Sequence, residues 1–220
     1  ITFRGKGGVF CAGGDLKGFR EIFQGKDQTA GDVEAASRRA GELFDRINTM
    51  PQVTVMLVEG AAMAGGLGMV CAGDIVAVTT DAKFALTETT LGIPPAQIAP
   101  FVVQRLGLHI AKRIMLTASR FDGSEAMELG LADFIADDAN GLNVIEADIR
   151  ENVLRCAPGA NAVTKDLVLA TRTLDRQSMA DKAARDFAAC MLGDEGREGV
   201  AAFFEKRKPA WTANNDGKKS

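Results

Sequence analysis

The sequence predicts an α/β core followed by a mostly helical C-terminal portion, and three observations carry that reading. Short β-like runs alternate with helical stretches through the first half. From about residue 98 onward, apolar positions three and four apart dominate. Glycine clusters stand where strand-like runs give way to helical ones. Strands separated by helices imply right-handed crossovers, and hence a parallel sheet.

Taken in order, ITFRG at the start reads as a buried strand. It opens on Ile1 without an initiator methionine, so an N-terminal piece is expected to precede it. VFCAGGDLKGF (9–19) runs through Gly13 and Gly14 to a helix start, with Asp15 as its N-cap. Residues 32–49 place Val33, Ala36, Ala40, Leu43, Phe44 and Ile47 at helical spacing, behind Asp32 as N-cap. QVTVMLVEG (52–60) and DIVAVTT (74–80) are the next strands. Between them AMAGGLGMVCAG (62–73) suits a buried, glycine-rich helix carrying Met63, Leu67, Val70 and Cys71. Beyond 98 the helices are broken at Gly107, Gly123, Gly141, Pro158 and Gly193, and FIA (134–136) is the one short strand there. The polar tail after Trp211 reads as frayed. The expected division is a core over 1–140 and a helical portion over 141–220.

Composition narrows the function. With 26 Lys plus Arg against 29 Asp plus Glu, the net charge is −3 and no basic stripe exists, so nucleic-acid binding has no electrostatic basis. The four cysteines, Cys11, Cys71, Cys156 and Cys190, form no C-x-x-C pair, which fits reduced thiols in a cytoplasmic protein. His109 is the single histidine, which argues against His-rich metal sites and His-based triads; it reads as a surface residue. No apolar run is long enough to span a bilayer.

Neither glycine cluster matches a nucleotide fingerprint. Alone, each is a packing or turn device before it is a ligand contact. Together they can present two backbone N–H groups, bare of side chains, to one carbonyl oxygen. A helix N-terminus behind Gly65 and Gly66 favours developing negative charge there. Downstream, KFALTETTLGIPPAQIAPF (83–101) sets Glu88 among Thr, Leu, Ile, Pro and Ala. Partial desolvation raises such a carboxyl's pKa and suits it to shuttling protons; a capping or surface glutamate is the alternative.

These residues resemble the crotonase superfamily, the enoyl-CoA hydratase/isomerase fold, over nearly all of the chain. VFCAGGDLKGF is similar to the family's F-C-A-G-A-D-L. EGAAMAGGLGMVCAGDIVAVTTDAKFALTE (59–88) resembles N-G-x-A-x-G-G-G-x-E-L-x-x-x-C-D followed by A-x-F-x-x-P-E. LTASRFDGSEAMELGLAD (116–133) and EGREGVAAFFEKRKPAW (195–211) resemble two further segments in the family's order. The resemblance implies a ββα spiral core whose helical C-terminal portion covers the acyl pocket, its own or a neighbouring subunit's. It implies a homotrimer or dimer of trimers acting on an acyl-CoA thioester. No metal or redox cofactor is implied, coenzyme A being part of the substrate.

Carried over residue by residue, the N–H groups of Gly14 and Gly65 would form the oxyanion hole, with Glu88 as acid/base. Ala12 would lie against the adenine of CoA, and Lys17 and Lys206 would be either phosphate contacts or solvated surface charges. Phe203 and Phe204 would pack in the C-terminal portion. The chain departs from the family at Gly68, where hydratases carry a first glutamate. A single acid favours double-bond isomerisation. The surrounding sequence instead resembles bacterial methylglutaconyl-CoA and isohexenylglutaconyl-CoA hydratases, which act on branched substrates with a second carboxylate. For those, space above Gly68 would admit the branch, and Gln97 or the substrate's own carboxylate would hold the water. A non-catalytic CoA-binding protein is the third reading.

Overall fold

The computed structural model describes residues 1–14 and 29–213. The chain divides into two units. Ile1–Asn48 and Thr54–Glu146 form the first; Thr49–Val53 and the chain from Ala147 onward form the second. In the first unit, β1 (Thr2–Arg4), β2 (Val55–Val58), β4 (Ile75–Thr79) and β7 (Phe134–Ala136) make one parallel sheet in the order β1-β2-β4-β7. All four are the strands that the apolar runs predict. β2 is buried at every position, because both faces of the sheet are covered. A second sheet joins β3 (Ala61–Met63) in parallel to β5 (Lys83–Ala85), and β5 antiparallel to β6 (Phe121–Asp122). These three strands lie outside the strand-like runs that the sequence shows, and β3 falls where it reads as the start of a helix.

α1 spans Ala30–Thr49 and buries Phe44 and Ile47, whereas Leu43 is exposed. Its N-cap is Thr29 rather than Asp32: Thr29 N donates to the Asp32 carboxylate at 3.1 Å and Asp32 N to Thr29 Oγ1 at 3.3 Å. This is a capping box with Asp at the third position. The carboxylate is held below its ordinary range first by the Thr29 hydroxyl, then by the Thr29 N–H. α2 (Gly65–Ala72) holds no charged or polar side chain and buries Gly66, Leu67, Gly68, Val70, Cys71 and Ala72. It is the central helix of the unit. A 3₁₀ turn covers Glu88–Leu91, and α3 (Ala99–Thr117) kinks at Gly107, at φ 73° and ψ 163°, where the sequence places a breaker. α4 (Gly123–Glu128) starts from an Asp122–Glu125 capping box. Two polar clasps hold the sheet. Thr54 donates through N and Oγ1 to the Asp74 carboxylate at 2.7 and 2.9 Å. Arg105 spans the Leu131 and Asp74 carbonyls and pairs with Asp133 at 2.6 Å.

α5 (Ala139–Arg155) crosses from the first unit into the second, which continues with α6 (Pro158–Ala170), α7 (Arg176–Leu192), α8 (Asp194–Phe204) and α9 (Ala210–Ala213). The Glu195 carboxylate accepts from the N–H groups of Gly159 and Ala160, at 3.0 and 3.1 Å, and so caps α6. Asp175 caps α7 through the N–H groups of Gln177 and Ser178. α8 ends with Lys206 at φ 55°, its N–H on Phe203 O, and with Arg207 N on Ala202 O. That is a Schellman ending with lysine where glycine is usual.

Candidate active site

The first glycine cluster runs alongside β3. Cys11 pairs in parallel with Ala62: Cys11 N donates to Ala61 O and Met63 N to Cys11 O, both at 2.9 Å. Two residues on, Gly13 comes beside Ala64. A Cβ on Gly13 would indeed lie 3.4 Å from the Ala64 methyl. Gly13 sits at φ +100°, a backbone that side chains rarely adopt. The first glycine cluster thus follows a segment bridged to β3, and Gly65 follows β3 itself after Ala64.

The turn between β3 and α2 is strained. Ala64 adopts φ 49° and ψ −120°, a region belonging to glycine, and stands at the first of the three glycines in the family motif. Its N–H donates to Ala85 O at 2.9 Å, and its carbonyl accepts from Gly68 N at 3.1 Å. Among the described residues no side chain caps α2, so its first N–H groups, starting with Gly65, are uncovered by side chains. Gly66 is fixed by its neighbour, since a Cβ there would stand 2.6 Å from Cys11 O. Among the described residues, a Cβ on Gly14 would meet nothing within 4 Å. Gly66 is there for packing, whereas none of the described residues crowds Gly14. Sequence spacing cannot distinguish them.

Ala85 also leads to the acid. It ends β5, and Glu88 lies three residues beyond, so its Cα is within about 11 Å of the Ala85 Cα. The loop is held tightly: Ile93 N donates to Glu88 O at 3.2 Å, and Thr90 N and Oγ1 donate to Thr87 O. Gly92 closes the turn at φ 75°. Glu88 Oε2 is buried and, among the described residues, has no hydrogen-bond partner. Burial pushes the Glu88 carboxyl above the usual carboxylate range, opposed only by its own backbone N–H. Buried polar atoms are seldom left unpaired; Thr79 Oγ1 in β4 is another, but Glu88 adds an ionisable group with a raised pKa, which makes it a functional candidate.

At Gly68 the geometry corrects an expectation. A Cβ there would stand 2.3 Å from Ile98 Cγ2, 2.8 Å from Ile98 Cβ and 3.2 Å from Phe44 Cε1. The space above Gly68 is filled by the protein's own side chains, not open to a substrate branch. Gln97 is engaged with α1: its Nε2 donates to Ser37 Oγ at 3.0 Å, and its Oε1 lies 2.4 Å from a Cβ built on Gly41. Ala12 is exposed, beside Gly13. Lys17 and Asp15 lie outside the described residues. Phe203 and Phe204 belong to the second unit and are 80% and 78% exposed, so they do not pack inside it; their rings touch edge to face, with centroids 5.8 Å apart. Lys206 is exposed at the end of α8. Sequence reasoning missed Ala64, Phe44 and Ile98. Comparing AGG with the family's triplet would have shown Ala64, but the other two meet the glycines only in three dimensions.

Cys71 is shut in the core, where burial pushes its thiol up to about 12, which leaves it a neutral packing residue. Among the described residues no three or more His, Cys, Asp and Glu groups are placed to hold a metal ion, and no helix is long and apolar enough to cross a membrane.

Comparison with known proteins agrees with this arrangement. Residues 1–214 match the model of the family described as enoyl-CoA hydratase/isomerase. The enoyl-CoA hydratase AKT6-1 of Alternaria alternata is 31% identical over 210 residues, covering 94% of this chain and 67% of that protein. Among solved structures, AtuE of Pseudomonas aeruginosa superposes with a TM-score of 0.91 at 46% identity, covering 96% of this chain and 81% of its own. An enoyl-CoA hydratase/isomerase from Marinobacter aquaeolei gives 0.91 at 39% identity, with the same coverage. The chain has the crotonase fold and belongs to the enoyl-CoA hydratase/isomerase family, whose members act on acyl-CoA thioesters.

Proposed function

We propose that the protein adds water across a branched 2-enoyl-CoA of the glutaconyl type. The observation that carries this reading is Glu88, a half-buried carboxyl with one orphaned oxygen, three residues beyond Ala85, whose carbonyl accepts the N–H of Ala64 next to Gly65. The thioester oxygen accepts from the N–H groups of Gly14 and Gly65. As water adds to the β-carbon, its proton passes to Glu88, and the electron pair of the double bond moves into an enolate held by those donors. Glu88 then returns the proton to the α-carbon, so one hydroxyl and one hydrogen are added in all. Ala12, Lys17 and Lys206 are candidates for the CoA side, and Gly66 keeps the donor turn in place. Gln97, tied to Ser37, steadies the loop after Glu88.

Double-bond migration is the second reading, and the filled space at Gly68 favours it: one base can take a proton from one carbon and return it to another. Incubation with 3-methylglutaconyl-CoA, crotonyl-CoA and a 3-enoyl-CoA separates the two readings by water addition or bond movement. In whichever reaction appears, Glu88→Gln should lower kcat by about 10²- to 10⁴-fold. The wild-type rate should fall with pH through a limb above the usual glutamate range, because burial favours the protonated carboxyl and the base is lost earlier on acidification. The variant should lack that limb. Full activity in Glu88→Gln would remove Glu88 from catalysis, and activity on none of the thioesters would favour a CoA-binding role.

The exposed Phe203 and Phe204 support assembly into a homotrimer or dimer of trimers, in which this pair meets a neighbouring subunit.

A further inference from the structure

Gly65 and Gly68 are one turn apart on α2 and so share a face. Phe44 lies along that face: its Cζ is 3.7 Å from a Cβ built on Gly65, and its Cε1 is 3.2 Å from one on Gly68. Ile98 closes the Gly68 end with Cγ2 and Cβ, the branch and root of a β-branched side chain that cannot swing away. Its backbone is held as well, since the Ile98 carbonyl at the N-terminus of α3 accepts from Phe101 N and Val102 N, both at 3.1 Å. Ile98 is 4% exposed and Phe44 7%, and the two rings Phe44 and Phe101 stand 6.1 Å apart, so the block is part of the core.

We propose that Ile98, braced by Phe44, sets the number of acids this site can hold. It occupies the volume in which any side chain at position 68 would begin, one turn from the Gly65 donor, and so leaves position 68 without an acid to join Glu88. The inference rests on reading Gly65 as a thioester donor. It makes positions 68 and 98 a coupled pair: glycine at 68 is required by isoleucine at 98, and an acid at 68 needs Ile98 removed.

Two measurements test it. Melting temperatures are compared for Gly68→Ala in the native and in the Ile98→Gly background; glycine is tolerated at a helix N-cap and removes both clashing atoms. The alanine should cost about 5 °C in the native background and almost nothing beside Ile98→Gly. Second, the Gly68→Glu, Ile98→Gly protein should hydrate crotonyl-CoA at least about tenfold faster than Ile98→Gly alone, within the range a positioned acid supplies. Equal melting losses in both backgrounds overturn the inference. So does a folded double variant that hydrates no faster than Ile98→Gly. Should the glutamate variant not fold, the alanine pair decides alone. Full activity in Glu88→Gln would overturn the proposed function, while the melting comparison would still stand on its own.

Discussion

Around α2 the first unit leaves little to solvent: Met56, Leu57, Val58, Leu67, Val70 and Val76 are all fully buried. In the second unit α6 and α7 bury none of their described residues completely, and α8 buries only Ala202. Phe187, Leu192, Phe203 and Phe204 stand exposed there. Its internal ties are mostly polar, such as Lys182 between Asp166 and Asp186, and Arg207 between Glu198 and Glu205. A buried aliphatic side chain contributes about 1.5–3 kcal/mol, whereas an exposed ion pair contributes about 0–1 kcal/mol. The difference suits two tasks. A site made of backbone N–H groups needs walls that cannot move, and side-chain packing supplies them. On the proposed assembly, the apolar groups that the second unit leaves outside are those that would meet a neighbour.

The sharpest break in that comparison is a single methyl group beside the site. Gly66→Ala drives a Cβ to 2.6 Å from Cys11 O, inside the rigid unit, and should cost about 2 kcal/mol, or roughly 4–8 °C in melting temperature. Gly14→Ala, which meets none of the described residues within 4 Å, should change stability by less than about 0.5 kcal/mol. Thermal melts of the two variants decide it. Equal losses would mean that the walls of the first unit give way and do not define the donors.

A smaller effect tests the other side. If Phe203 and Phe204 meet a neighbouring subunit, changing both to Ser should lower the mass measured by light scattering at micromolar concentration. A single chain loses little by the change, because both rings are already exposed. An unchanged mass would remove this pair from the assembly surface.

How much of this was legible beforehand follows the same division. β2 and β4 announce themselves because both faces are covered and the runs are nearly continuously apolar, whereas β1 and β7 are largely exposed edge strands. Glu88 shows through because a charge in a neutral, proline-bounded segment is conspicuous in one dimension. The second sheet was hidden because its strands lie outside the strand-like runs of the sequence. Asp32 was mistaken for an N-cap because in a capping box either end can look like the start; Thr29 takes that place. The filling of Gly68 could not be read at all, since Ile98 lies thirty residues away in the chain and meets it only through the packing of α2 against the start of α3.

The smallest expected effect belongs to the end of the second unit. The Glu198 carboxyl is held down to about 2, first by Arg207 through paired contacts of 2.6 and 2.9 Å, then by the Ala210 N–H at 2.7 Å. A lowered folded pKa means that the unfolded chain binds the proton first on acidification. The clasp therefore contributes fully above the ordinary glutamate range and is lost as pH falls from there toward about 2. Glu88 has the opposite sign, its burial favouring the protonated form, so the same acidification relieves the site while loosening this end. Trp211, the single tryptophan, reports on it locally: its Nε1 donates to Arg155 O at 3.1 Å, and a Cβ on Gly199 would touch its ring at 3.0 Å. Its fluorescence should hold from neutral pH through the ordinary glutamate range and shift only on further acidification. Glu198→Gln, which keeps the size but not the charge, should show a displaced emission already at neutral pH and a flatter acid profile. Superimposable profiles would mean that the clasp orders nothing, and the second unit would then owe its form to helix caps such as Asp175 and Glu195 alone.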